Sequence, residues 1–168
     1  MRYRKIHIIG GPGSGKSYIA TKIAATYNLP VFDLDDIFWD RNAIRYGVKA
    51  SDEERDEALT HILASAAWII EGVYYRWLSR SFEAADLIIV LAPSVWRRDW
   101  RILKRFVKRK LSHSTSKKET LADLWGLLTW NHSYDTDNLR RARLFMAHLS
   151  DKVCECKSMS DVFSILNR

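Results

Sequence analysis

Short apolar runs alternate with helical periodicities along the whole chain. Lys5 to Ile9 is an apolar, β-branched run entering a glycine-rich turn, the pattern of a strand buried on both faces. Lys16 to Tyr27 carries Ile19, Ala20, Ile23 and Ala24 at helical spacing, and Asn28-Leu29-Pro30 stops it. Val31-Phe32-Asp33 predicts a second, brief strand. Ser51, with Glu54 three residues on, spells a capping box that opens an acidic-faced helix through about residue 66. Trp68-Ile69-Ile70, ending at Glu71-Gly72, predicts a third strand, and Asp86 to Leu91 a fourth. From about 94 to 111, apolar positions near Val95, Ile102, Phe106 and Leu111 predict a long amphipathic helix. Trp96, Trp100 and Phe106 fall largely on its apolar side and read as core. Residues 112–118 read as a loop, 119–130 and 135–149 as two helices, 152–156 as a last strand and 160–167 as a closing helix. Strands alternating with helices need crossover connections, so the expected architecture is α/β, three layers around a parallel sheet.

Composition narrows the picture. With 168 residues, 47% apolar and 28% charged, the chain fits one domain with a proper core. No run approaches the roughly 18 apolar residues of a membrane span, so no membrane partner is expected. Cys154 and Cys156 stand too close for an unstrained bridge and supply too few ligands for structural zinc. They read as reduced thiols of a cytoplasmic protein. The net charge of +7 is local: residues 97–118 hold ten Lys/Arg against one Asp.

The chemistry begins at Gly10-Gly11-Pro12-Gly13-Ser14-Gly15-Lys16-Ser17, which matches G-x-x-x-x-G-K-[ST] between a predicted strand and a predicted helix. Glycines let successive N–H groups converge on one anion, and the helix start adds unpaired donors and a positive dipole end. Lys16 is expected on the β- and γ-phosphates of ATP, and the Ser17 hydroxyl on Mg²⁺. No guanine-reading N-K-x-D occurs. The D-x-x-G spelled by Asp123 to Gly126 lies in an apolar helical stretch and reads as coincidence. Asp33 ends the second strand and Asp35 and Asp36 follow it, where carboxylates project over the cradle. Asp35 is expected to hold Mg²⁺ through water or to take the proton of an attacking hydroxyl. Trp39 reads as either a substrate wall or core. Arg101 and Arg105, four apart on the basic helix, are candidates to meet charge on a migrating phosphoryl group, with Arg97, Arg98 and Lys108 nearby. Arg141 and Arg143 are candidates for a second pair.

The segments GGPGSGKS, FDLDDIFWD, WIIEGVY, ADLIIVLAPSVWRRDWRILKR and VCECKSMSDVFSIL resemble the adenylate-kinase-related P-loop proteins of the DNA topology modulation (FlaR-type) family. The combination of Asp35-Asp36 and Trp39 with Glu71-Gly72 carries the resemblance more specifically than the cradle does. It implies a P-loop fold similar to nucleotide and shikimate kinases, a five-stranded parallel sheet with a helical lid at about 97–140. It further implies Lys16 and Ser17 on ATP·Mg²⁺, Asp33 or Asp35 at the acceptor, Arg101 and Arg105 in the lid, and Arg143 placed after it.

The expected activity is therefore ATP-dependent phosphoryl transfer to a small hydroxyl-, carboxylate- or phosphate-bearing acceptor. An adenylate-kinase-like monophosphate pattern is not visible in 36–70, where the basic residues are Arg41, Arg45, Lys49 and Arg55. The alternative is an ATP-switched regulatory protein that lies along nucleic acid with its basic segment 97–118.

Overall fold

The computed structural model describes residues 2–40, 47–111 and 120–167. The expected loop at 112–118, and Arg41 and Arg45, lie outside the described residues. Five parallel strands form one sheet: β1 (Lys5–Ile9), β2 (Val31–Asp33), β3 (Trp68–Gly72), β4 (Leu87–Leu91) and β5 (Val153–Cys156), in the order β2-β3-β1-β4-β5. The chain leaves β1 at the centre, moves to one side for β2 and β3, then crosses over for β4 and β5. The reversal of direction falls beside β1, where an open parallel sheet leaves a crevice at its carboxyl edge.

Alternate residues of the central strands enter two separate cores. Ile6, Ile8, Ile69 and Ile89 meet Ile19, Ala20 and Ile23 of α1 (Lys16–Tyr27) and Val162 and Leu166 of α8 (Met159–Leu166). Ile70, Ile88 and Val90 meet Leu59 and Ile62 of α3 (Asp52–Leu63), Phe82 of α4 (Ser79–Ala84) and Ala142 of α7 (Arg140–Phe145). Burial on both faces is why these strands read as continuous apolar runs rather than alternating ones.

The local signals act as expected at several ends. Asn28 closes α1 in the left-handed conformation, and Ser51 and Glu54 form a reciprocal capping box on α3. Other elements correct the sequence reading. The two helices expected at 119–130 and 135–149 are one helical run: α6 (Leu121–Tyr134), a π-helical turn at Asp135–Leu139, then α7. No glycine or proline interrupts 131–142, so the backbone widens there instead of breaking. Asp123 is accounted for as well, since it caps α6 reciprocally with Thr120. Short helices α2 (Asp35–Phe38) and α4 were not expected; both are too brief to show a period.

The largest correction concerns α5 (Val95–Leu111). Of the apolar positions expected to be core, only Ile102 is buried, and Trp96, Trp100 and Leu111 are exposed by 79%, 67% and 75%. The side of α5 that packs inward instead carries Arg98, which is fully buried. Periodicity located the amphipathic face but could not say which side met the protein.

Candidate phosphate-binding cleft

A cleft of about 1630 Å³ opens at the carboxyl edge of β1, β2 and β3. One wall is Pro12, Gly13 and Gly15 of the glycine loop, a second the ends of β2 and β3 with α2 and residues 73–77, and a third the inner side of α5 with Leu127 and Trp130 of α6. Lys16, Ser17, Asp33, Asp35, Trp39, Glu71, Gly72, Arg101 and Arg105 all line it.

The loop is built for close approach. Gly15 caps α1 at φ +97°, where a side chain is strained, so the helix begins directly at Lys16. At Gly11, a Cβ would stand 2.7 Å from Arg98 Nη1 and 2.8 Å from Tyr134 Cδ1. Only glycine lets the loop pass beneath both side chains. Gly10 and Ser14 are buried, Pro12 and Gly13 border the loop, and the Ser14 hydroxyl has no hydrogen-bond partner. A glycine loop followed directly by a helix start and a lysine, all at the cleft, fits a bound phosphate chain.

Lys16 stands at the centre of the electrostatics. Its Nζ donates to the Gly11 carbonyl at 3.3 Å. Burial lowers its pKa, the charges of Glu71, Asp35 and Asp33 oppose that, and the Arg105 cation adds to it. Glu71, at the end of β3, is 2% exposed; burial raises its pKa, while Lys16 and a hydrogen bond from the Ser17 hydroxyl hold it down. Asp33 is also shifted upward, first by burial and further by Asp35 and Asp36; its Oδ1 accepts from the Asp35 N–H at 2.9 Å. Asp35 Oδ1 accepts from the Tyr74 hydroxyl at 2.6 Å. The sheet explains the grouping, because Asp33 and Glu71 are register partners on adjacent strands and Ile8 on β1 sits opposite Glu71.

Beyond Asp35 the cleft is aromatic. Phe38 stacks on Tyr74 at 4.3 Å and meets Trp39 edge-on at 4.9 Å, while Arg55 lies 5.3 Å over Phe38 and 5.5 Å over Trp77. Trp39 is thus both a wall of the cleft and part of an aromatic cluster. Asp36 is exposed and does not line the cleft.

The basic residues divide by role. Arg101 donates to the Gly13 and Ser14 carbonyls at 3.2 and 2.6 Å, which fastens α5 to the loop. Arg105 lines the cleft near enough to Lys16 to repel its charge. Arg98 makes a bidentate pair with Asp135 at 2.8 and 2.7 Å. Arg143 leaves the expected set: it forms a bidentate pair with Glu155 on β5, at 2.6 and 3.0 Å, and does not line the cleft. Arg141 pairs with Asp137 one helical turn away.

Sequence reasoning missed Tyr74, Asp135 and the particular role of Arg98. Tyr74 carried a weak signal, three residues past Glu71 at a strand end. The Arg98–Asp135 pair joins positions 37 apart, and nothing local marks it.

No family model matches the chain, and no curated protein matches it. The site itself defines an α/β protein with a parallel sheet whose glycine loop, lysine and carboxylates converge at one strand edge.

Proposed function

We propose that this chain is a P-loop phosphotransferase of the nucleotide- and shikimate-kinase type, moving the γ-phosphoryl group of ATP to a hydroxyl or phosphate oxygen of a small metabolite. The observation that carries the reading is Lys16, bonded to the Gly11 carbonyl of the glycine loop and sharing one cleft with Glu71, Asp35, Asp33 and Arg105, all close enough to act on its charge. Mg²⁺ at a nucleotide-binding loop takes one such carboxylate; three at the same strand ends leave others for an acceptor.

Gly10, Gly11, Pro12, Gly13, Ser14 and Gly15 would hold the phosphate chain, with Lys16 on its outer phosphates. Mg²⁺ would be held by the Ser17 hydroxyl and, through water, by Asp35 or Glu71, and would neutralise charge on the phosphates. Few protein ligands suit this ion, which keeps most of its waters and takes phosphate oxygens. The described residues contain no cluster of three or more His, Cys, Asp or Glu that would form a dedicated cage.

Asp35 is the general base. The acceptor oxygen forms a bond to phosphorus and the bond to the bridging oxygen breaks; a hydroxyl acceptor passes its proton to the Asp35 carboxylate, and a phosphate oxygen has none to pass. Tyr74 holds that carboxylate in place through its hydroxyl. Lys16 and Arg105 stabilise charge on the transferring and leaving groups, and Arg101 keeps α5 on the loop. The acceptor lies against the aromatic wall of Phe38, Trp39 and Tyr74.

ADP release from ATP·Mg²⁺ across nucleosides, monophosphates, sugar acids and hydroxy acids tests this reading. One acceptor is expected to raise turnover at least about tenfold, roughly 1.4 kcal/mol of transition-state stabilisation. Lys16→Ala and Asp35→Ala are expected to abolish the increase. Tight ATP binding with no acceptor response would refute the phosphotransferase reading.

A further inference from the structure

Helix α5 is amphipathic in the reverse sense. At 100° per residue, Trp96, Trp100, Leu103, Val107 and Leu111 share one sector about 80° wide. Arg98, Ile102, Arg105 and Arg109 occupy the opposite sector, and of these Arg98 and Ile102 are buried while Arg105 and Arg109 line the cleft. The apolar side therefore faces solvent along about 22 Å of helix. Leu103 and Val107, at 38% and 52% exposure, continue the surface between the tryptophans and Leu111. The packed neighbour α6 adds Leu121 and Trp125, both 73% exposed, and Trp96 stands edge-on to His132 of α6 at 6.3 Å.

The borders of this stripe are cationic. Arg97, Lys104 and Lys108 run along one side and Lys110 stands on the other, all exposed. The single acid of α5, Asp99, is engaged by Asn131 and His132 at 2.7 and 2.8 Å. We propose that this face of α5 and α6 docks on an anionic lipid surface as a peripheral contact, with the apolar stripe entering the headgroup boundary and the Lys/Arg borders meeting lipid phosphates. An interfacial helix has this division of residues: tryptophan and aliphatic side chains at the centre, cations at the rim.

The other occupants fit less well. Along a nucleic-acid backbone the cations would need to stand at the centre of the contact; the exposed tryptophans could stack on bases, but Leu103, Val107 and Leu111 continue the stripe with neither charge nor ring. A two-fold contact with a second copy would bring the same cationic borders together, and the one acid of α5, Asp99, is already engaged by Asn131 and His132. The inference is independent of the phosphotransferase reading, because it uses the opposite side of the helix.

The test is co-sedimentation of the full chain with vesicles of phosphatidylcholine alone and of phosphatidylcholine with phosphatidylglycerol in equal parts, with tryptophan emission recorded. Binding is expected to be at least about tenfold stronger on the anionic vesicles, with a blue shift, and to weaken with added salt. Trp100→Glu with Val107→Glu should abolish it, and Lys104→Glu with Lys108→Glu should reduce it severalfold, each variant keeping the wild-type melting temperature. Absence of binding to anionic vesicles, or equal binding by the Trp100/Val107 variant, overturns the proposal. A wild-type dimer that this variant dissociates, or DNA affinity that it alone loses, without vesicle binding, assigns the face to a second copy or to nucleic acid instead.

Discussion

Arg98 and Asp135 face each other through two parallel hydrogen bonds, 2.8 and 2.7 Å long, with the guanidinium wholly buried and its Nη1 against the backbone of Gly11. One ion pair thus ties α5 to the π turn that follows α6 and sets both beside the glycine loop. Bidentate pairing fixes orientation as well as distance, which a lysine at position 98 would not reproduce.

Removing one partner leaves the other charge without compensation. Asp135→Asn is expected to cost about 2–4 kcal/mol, toward the low end because Asp135 is one-third exposed and water relieves part of the loss. Arg98→Met together with Asp135→Asn should recover part of that loss. Urea unfolding of the two single variants and the double variant measures the coupling; strict additivity would show that the pair contributes no interaction energy.

Two glycines should respond in opposite directions to the same change. Gly11→Ala places a methyl group 2.7 Å from Arg98 and 2.8 Å from Tyr134, so it should destabilise by about 1–3 kcal/mol and weaken ATP binding. Gly126→Ala, inside α6 with nothing within 4 Å of the added carbon, should stabilise by about 0.5–1 kcal/mol. Thermal melts and nucleotide titration of both variants decide the matter, and a neutral Gly11→Ala would mean that α5 does not press on the loop in solution.

On the proposed phosphotransferase reading, Tyr74 acts through Asp35, to which its hydroxyl donates. Tyr74→Phe removes one hydrogen bond to a carboxylate, and acceptor-dependent kcat is expected to fall about tenfold or more with ATP affinity unchanged. Asp35→Asn should fall further, by about 10²-fold or more. Equal losses of ATP affinity in both variants would instead place the pair on the nucleotide.

His7 gives the fold an acid-sensitive point. It is buried in β1, stacked on Phe82 at 4.2 Å and bonded through Nδ1 to the Ser81 hydroxyl at 2.7 Å, and burial lowers its pKa from 6.5 to about 3. Between those values the unfolded chain holds a proton that the folded chain refuses. Stability should therefore fall as pH falls below about 6.5, with a contribution of order 1 kcal/mol per pH unit. Denaturation midpoints at several pH values, compared with His7→Gln, isolate the contribution; parallel pH profiles would remove His7 as its source.

What the chain determined by itself was local. Glycine spacing with Lys16-Ser17 marked the loop, Ser51 with Glu54 and Asn28 with Pro30 marked helix ends, and unbroken apolar runs marked strands buried on both faces. Each of these rests on neighbours within a few residues, where steric limits and hydrogen-bond geometry act directly. The strand-end carboxylates were legible for the same reason, since a parallel sheet places its strand ends together.

Tertiary structure alone decided which side of α5 turned inward. Buried Arg98 has its compensating charge on Asp135, and no sequence period foretells a partner 37 residues away. With Arg98 on the inward side, Trp96 and Trp100 stand in solvent, against the expectation that they form the core. Arg143 likewise pairs across space, with Glu155 on β5, and does not line the cleft. Charges act across space, so their assignments follow the packing of whole helices and cannot be read from the helix that bears them.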